Sequence, residues 1–315
     1  LAEAAQVLGA TPLGAAVAIP LRTGGDLVVS VLVALVTVLT LAGAWRLLVQ
    51  IMMSATEREV PVRERRGLGW FAVMPGTPGG AIAARSIVYW SGDPRHLANI
   101  VVVPVASVLI VLPLLVVGVP LSTVALIPPP ILALFLGWLV HNDLAYDSTG
   151  IWLHISAGVR GVADRVGRLV PVLLLGVPLL ALAITLSIWV HGRWAVLPAL
   201  VGVCVSLFAT GLGLSSVASV AAPYAVSRPG EGPFEQPQRT GGSVAQAAVL
   251  FGAIILSVPA LWSGWLALGG DEGAAWTSFW TGIGVGVAVM AVGIAVGGAV
   301  FERRTSRLME FAETH

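Results

Sequence analysis

The basic side chains of this chain are all arginine; none of the 17 is lysine. That removes the phosphate-binding lysine of a GxxxxGK[ST] loop, a Schiff-base amine and the nucleotide-anchoring lysine of a kinase. If ATP powers this protein, another chain or segment hydrolyses it. The single cysteine, Cys204, sits in an apolar run, which excludes a disulfide framework and a cysteine-based zinc site. The five histidines, His96, His141, His154, His191 and His315, share no i,i+4 or HExxH spacing, so they imply no metal and are expected at surfaces or interfaces. Serine, histidine and aspartate occur in the polar loops, but without a GxSxG elbow or another nucleophile context. The residue types therefore point away from an enzyme, with no cofactor implied.

Two polar constellations remain. In the first, Arg85, Tyr89 and Asp93 recur at i, i+4 and i+8 on one face of a helix expected over about 81 to 96, with Ala83, Ile87 and Trp90 on another. Gly92 then breaks the helix and Asp93 can cap the next, with Pro94 at its first position. The second runs from His141 to Arg168, reading HNDLAYDSTGIWLHISAGVRGVADRVGR. Asp147, with Ser148 and Thr149, offers a cap before a short apolar helix containing Ile151, Trp152 and Ile155. Gly158 and Gly161 interrupt it, and Arg160 to Asp164 and Asp164 to Arg168 form two i,i+4 pairs on a charged helix leading into the next apolar run. Such a break between two short helices is a plausible docking knob for a soluble partner, or equally a solvated loop.

The elements that must position these residues are apolar. At 57% hydrophobic, 10% charged and mean hydropathy +0.92, the chain departs from soluble domains, which carry about 25% charged residues. The formal net charge of +1 disfavours a nucleic-acid partner. Seven stretches, near 27 to 50, 99 to 118, 121 to 140, 169 to 190, 195 to 217, 244 to 268 and 276 to 300, meet or approach the roughly 20 apolar residues needed to span a bilayer. Within the third, Pro128, Pro129 and Pro130 either kink the helix or start it, so that it runs on towards Asp147. The expected fold class is all-α, a polytopic integral membrane helical bundle of about seven transmembrane helices with cytoplasmic interface and coupling helices.

Fifteen of the 17 arginines fall on one alternating set of loops, with Arg22 and Arg193 on the other, which places the N-terminus outside and the C-terminus in the cytoplasm. Several tryptophans near span ends read as interface anchors. No Asp, Glu or Arg lies centrally in a predicted span, which argues against transport driven by intramembrane ionisable groups. Gly282, Gly286, Gly293 and Gly297 stand at offsets that bring them within roughly a 60° stripe of one helix face. A close helix–helix approach is expected there, and the GIGVG string is packing rather than a nucleotide loop. The segment 227 to 242, rich in Pro and Gly, reads as an irregular linker. The chain opens on Leu1 without a signal-peptide pattern and is expected to begin inside a longer protein.

Two stretches carry a family resemblance: AARSIVYWSGDPRHLANIVVVPV at 83 to 105 and NDLAYDSTGIWLHISAGVRGVADRVGRLV at 142 to 170. They resemble the type-two permease family of ATP-binding-cassette (ABC) exporters, in particular the fused permeases of high-GC actinobacteria. In that family an amphipathic interface helix ending in Arg or Ser, Asp and Pro precedes the first of six spans. A "DG" opens, and a "GR" closes, the coupling region after the second span. Asp147 and Gly167-Arg168 match, while Ser148 replaces the glycine. The linker APYAVSRPGEGPFEQPQ also resembles the family's connection between its fourth and fifth spans, and part of 257 to 268 could supply its re-entrant helix.

The resemblance covers about 80 to 302. It implies that residues 1 to 80 hold the last helix of a preceding unit plus a linker, that 81 to 302 are one six-span permease unit, and that 303 to 315 are a cytoplasmic tail. It implies a permease in a bacterial plasma membrane, with ATP hydrolysis on a separate ATP-binding subunit and a second permease unit, fused upstream or as a dimer. Asp147, Trp152, His154, Arg160, Asp164, Arg165 and Arg168 become candidate contacts to that ATPase, with Arg85, Tyr89, Trp90 and Asp93 on the interface helix. On this reading Asp164→Arg weakens ATPase stimulation without loss of folding. A membrane scaffold that recruits a cytoplasmic partner is the alternative; a secondary transporter is disfavoured by the missing intramembrane charge and inverted repeats.

Overall fold

The computed structural model describes Ala15 and residues 19–54, 67–226 and 242–314. Helix is the regular structure throughout, with no strand among the described residues. Five stretches are long and apolar enough to cross a membrane: Pro94–Val116, Leu121–Ser156, Gly161–His191, Trp194–Ala221 and Glu272–Arg303. A sixth arises if Ser243–Leu256 and Val258–Leu268, bent by 51° at Ser257, count as one broken span. The chain thus has the character of a multi-pass membrane protein.

Contacts divide the chain into two units. The first contains α1 (Gly25–Ser54), apolar all round, whose Thr37 and Thr40 hydroxyls donate to the Val33 and Val36 carbonyls. The stretch Leu112–Pro120 also belongs to it, a short helix ended by Gly118 at positive φ. The second unit, Gly67–Val111 with Leu121–His315, holds the helices described next.

In the second unit, α2 (Pro78–Gly92) starts with Pro78 at its first position and the Thr77 hydroxyl accepting from the Gly80 N–H. It turns sharply at Asp93 into α3 (Pro94–Leu109), where the Asp93 carboxylate accepts from the Arg95 N–H at 2.9 Å. Burial alone would raise the Asp93 carboxyl, but the side-chain and backbone bonds from Arg95 hold it below the usual range. The cap therefore contributes at neutral pH and is lost as pH falls through that lowered value. The three prolines start α4 (Pro128–Trp138), where missing N–H groups cost least, and the chain then runs on through a 3₁₀ segment, Asp143–Gly150, to α5 (Ile151–Ser156). The second of the two outcomes expected at the prolines is the one observed. Gly158 at positive φ ends that run, and α6 (Gly161–His191) follows as one continuous helix.

At the centre stands α7 (Leu197–Ala221), packed against α4, α6, α8 (Ser243–Leu256), α9 (Val258–Leu268) and α10 (Glu272–Arg303). Its core contacts include Leu200, Val203, Cys204, Leu207, Phe208 and Leu212. Its buried hydroxyls are also used: Ser206 donates to Ser257 at 2.9 Å, at the bend between α8 and α9, and Ser215 donates to the Gly137 carbonyl of α4 at 2.8 Å. Glycine lets these backbones meet. A Cβ on Gly213 would lie 2.7 Å from the Val289 carbonyl carbon and 2.8 Å from the Met290 Cα, while Gly282 faces Gly202, Gly293 faces Gly213 and Gly297 faces Ser216. The glycine stripe of α10 is therefore a seam inside one chain, against α7.

The segment 303 to 315 is more than a tail. Helix α11 (Thr305–Thr314) folds back, burying Leu308 and Ala312 with Leu144, Ile151, Val220 and Phe301. The linker at 227–241 lies outside the described residues, but its flanks are clasped: the Tyr224 hydroxyl lies 2.6 Å from His141 Nε2 and accepts from Gln246 at 2.7 Å, and Trp138 donates to the Gln246 carbonyl. Burial raises the Tyr224 phenol and the Gln246 bond opposes it.

Gly213→Ala should lower thermal stability by about 2 to 3 kcal/mol, since backbone, not a flexible side chain, must move. Gly284→Ala, on the same helix pair but with nothing within 4 Å of its Cβ position, should be neutral or raise stability by up to about 1 kcal/mol. Melting of the purified protein in one detergent checks both.

Candidate functional site

Where α2, the Asp143–Gly150 segment, α5 and the first turns of α6 meet, three arginines and three aspartates close into one buried network. Asp164, on the first turn of α6, has no exposed surface. It accepts from Arg165, from Arg168 Nε at 3.1 Å and from His154 Nδ1 at 2.5 Å. Arg168 reaches onward to Asp143 at 3.1 Å and to Asp147. Asp147 is shared with Arg85 of α2 at 3.2 Å. Arg85 also contacts His154 Nε2 at 2.9 Å and donates to the Tyr89 hydroxyl at 3.0 Å, closing the ring.

A charge removed from water costs several kcal/mol unless its remaining hydrogen-bonding capacity is met. Sharing Asp147 and Asp164 between cations is what makes this burial tolerable. The His154 ring bridges two elements, with Nδ1 against Asp164 and Nε2 against Arg85. Arg165 donates to Ser219 of α7 at 2.7 Å and lies over the Phe301 ring of α10 at 5.7 Å. The network thereby ties the surface helix α2 and the 3₁₀ segment to the spanning helices α6, α7 and α10.

Glycine again makes room. A Cβ on Gly167 would lie 2.7 Å from the Gly79 carbonyl oxygen and 2.8 Å from Ile82 of α2, so the lack of a side chain there lets α2 seat against α6. Beside it, Gly161 meets the Gly298 backbone, and the Gly161 N–H is capped across helices by the Glu302 carboxylate at 2.8 Å. A second group lies alongside. Arg95 grips Asp93 at 2.6 Å and sits 5.1 Å over the Tyr146 ring, and His96 packs between Trp90 and Tyr146. Burial lies behind the outward-facing rim: Trp152 is 50% exposed, Leu153 47%, Val162 47% and Val166 45%, with Arg160 exposed between them.

Several expectations change. Asp147 does not cap the short helix: Gly150 occupies that position with no side-chain bond, and Asp147 turns inward to Arg85 and Arg168. Asp164 turns to Arg165, Arg168 and His154, while Arg160 stands exposed at the N-cap of α6. His154, Asp164, Arg165 and Arg168 are buried, so as they stand they touch this chain and cannot form the outer surface of a docking site. Asp164→Arg would set a third cation beside two buried ones and undo the fold rather than act selectively. Three histidines expected at surfaces, His96, His141 and His154, are buried instead. Trp152 and Arg160 are exposed, Arg85 and Tyr89 share their face, and Trp90 is buried with Ala83 and Ile87 as the periodicity requires.

Asp143, Ser219, Phe301, Glu302 and α11 were not singled out by sequence; only the DxxxD spacing of Asp143 and Asp147, one turn apart, hinted at a paired role. Among the described residues no group of three or more His, Cys, Asp or Glu is placed to hold a metal. The arrangement joins α2, the Asp143–Gly150 segment, α5 and α6 to one another through side-chain bonds.

Ser148 adopts φ 45°, ψ −132°, the single non-glycine residue at positive φ among those described. Ser148→Gly should raise stability by about 1 kcal/mol and Ser148→Val should lower it. Asp164→Asn, which leaves buried guanidinium groups short of an anion, should cost about 3 to 5 kcal/mol. Chemical or thermal unfolding of the detergent-solubilised chain reads both. No family model, curated protein or solved structure matches the chain.

Proposed function

We propose that this chain is the membrane permease subunit of an ATP-driven exporter of the type-two ABC class, working with a separate ATP-binding subunit. The supporting observation is the Arg85–Asp147–Arg168–Asp164 network, which fuses a surface helix and a polar turn to the start of a spanning helix. A push on such a body is delivered to α6, α7 and α10 instead of being absorbed in a loose loop. Trp152, Leu153 and Arg160 form the apolar and charged rim that meets the ATPase.

On this reading the charged end faces the cytoplasm, in agreement with the arginine distribution. α1 and the six further spans make the full count seven, and a second permease unit completes the pathway. ATP-driven closure of the partner shifts the spans between two packings, and the buried network moves as a unit. α11, packed on the Asp143–Gly150 segment and α5, braces that unit from beneath.

A photo-crosslinking residue at Trp152, introduced into the full protein in its native membrane, tests this. Crosslinks to a nucleotide-binding subunit, with a yield that changes between nucleotide-free and vanadate-trapped states, are expected. A partner without a nucleotide site, or a yield indifferent to nucleotide, would replace the permease by a scaffold. Trp152→Ala with Arg160→Glu should reduce stimulation of the partner's ATPase about tenfold or more, with melting unchanged within about 0.5 kcal/mol because both side chains are exposed.

A further inference from the structure

Two charged side chains outside the buried network hold helices by their ends. α10 stops at Arg304, whose backbone N–H returns to the Val300 and Phe301 carbonyls, and the stop leaves Glu302 and Arg304 exposed. The head of α6 has no cap of its own. Arg160 stands at the N-cap position without a side-chain bond, and the N–H that follows it, on Gly161, donates to the Glu302 carboxylate at 2.8 Å. The tail of α7 is held in the opposite sense: the Arg304 guanidinium donates to the Ala221 carbonyl at 2.6 Å. An anion thus stands at one helix N-terminus and a cation at another helix's C-terminus, each the favourable sign for the dipole it meets. Both come from the same turn of chain at the end of α10.

The backbone around this turn is in direct contact with its neighbours. Four residues before Glu302, Gly298 meets α6 with no side chain between them: a Cβ there would lie 2.6 Å from the Val162 nitrogen and 2.9 Å from the Gly161 carbonyl carbon. Gly297, the residue before, faces Ser216 of α7 in the same way. A displacement of the first turn of α6 therefore meets no flexible side chain that could absorb it before it reaches α10. Arg304 joins that same end to the last carbonyls of α7.

The place of this joint in the chain gives it a role. Arg160 and Val162, both exposed on the rim, flank Gly161 on either side, so a contact made on the rim acts one residue from the Glu302 bond. The other side-chain link between the head of α6 and α7, Arg165 to Ser219, is buried and shared with Asp164, and its removal would strand a charge. Glu302 and Arg304 face water, which can satisfy the Gly161 N–H and the Ala221 carbonyl in their absence. A part in transmission is therefore separable from a part in folding.

We propose that Glu302 and Arg304 are positioning residues, which clasp the head of α6 to the tail of α7 and carry displacement of the rim into α7 and α10. The inference rests on the reading of the rim as the ATPase contact and assigns the path that leads inward from it.

Glu302→Ala and Arg304→Ala, made in the full protein with and without the photo-crosslinking residue at Trp152, test it. Melting of the variants and their crosslinking to the nucleotide-binding subunit should match the native chain, since both side chains are exposed, while stimulation of the partner's ATPase should fall about fivefold or more. Arg304→Lys, which keeps a donor for Ala221, and Glu302→Gln, which keeps an acceptor for Gly161 without the charge, should each recover part of the stimulation. Arg303→Ala, which removes the neighbouring exposed charge, should leave it unchanged. Should an alanine variant not fold, Glu302→Gln read against Arg303→Ala still decides, and stimulation equal to that control would overturn the proposal. Stimulation retained in both alanine variants, lost equally in Arg303→Ala, or lost only together with the crosslink would also overturn it while leaving the permease reading in place. A native chain that crosslinks to no nucleotide-binding subunit would overturn the permease reading itself, and this inference with it.

Discussion

Asp164 is a carboxylate with no solvent contact, and its burial sets the terms for the elements around it. A lone anion there would be untenable, so Arg165, Arg168 and His154 must close on it. Their own needs recruit Asp147, Asp143, Arg85 and Ser219 in turn. The members are spread over α2, the 3₁₀ segment, α5, α6 and α7, and loss of Asp164, Arg165 or Arg168 strands a buried charge. This mutual dependence makes the surface helix, the 3₁₀ segment and the head of α6 a single body. It also depends on glycine: Gly297 stands 3.4 Å from the Arg165 Cδ by its Cβ position, and Gly161 and Gly298 let α6 and α10 touch backbone to backbone. The charge network and the glycine seam are two conditions on the same helix junction.

The spanning helices, their glycine stripe and the break at Asp93-Pro94 were legible because each rests on local pattern: apolar length, a 3.6-residue period, a cap followed by proline. The partners of the charged residues were not. Asp164 has Arg160 and Arg168 at i,i+4 spacing; the Arg168 pair forms, but in place of Arg160 the fold brings in the adjacent Arg165 and, across a helix break, His154, while Asp147 reaches Arg85 and Arg168, both far from it in sequence. Burial was misjudged for the same reason. A histidine in a polar stretch reads as exposed, yet His154 has both nitrogens satisfied by Arg85 and Asp164 and can sit inside. The glycine stripe was rightly read as a close approach, but period alone cannot say that the partner is α7 of the same chain. α11 was passed over as a tail because its ten residues carry just a narrow apolar face, Leu308 and Ala312, on an otherwise charged helix.

The two ends of the second unit differ in physics. One is closed by charge, with prolines and glycines placed so that a surface helix can seat against spanning helices. The other is apolar and open at the side, where prolines leave carbonyls that Ser187 and His191 satisfy. Between them α7 supplies a core that is buried along its length, and the bend at Ser257 is tethered to it through Ser206.

Amide hydrogen exchange comparing the native chain with Arg168→Gln tests most directly whether the charged end is one body. Arg168 bonds Asp143, Asp147 and Asp164 together, so α2, the Asp143–Gly150 segment and the first turns of α6 should lose protection together and by similar free energies. Loss confined to the first turns of α6, with α2 and the Asp143–Gly150 segment still protected, would show that the network is a set of separate ion pairs and contradict the account.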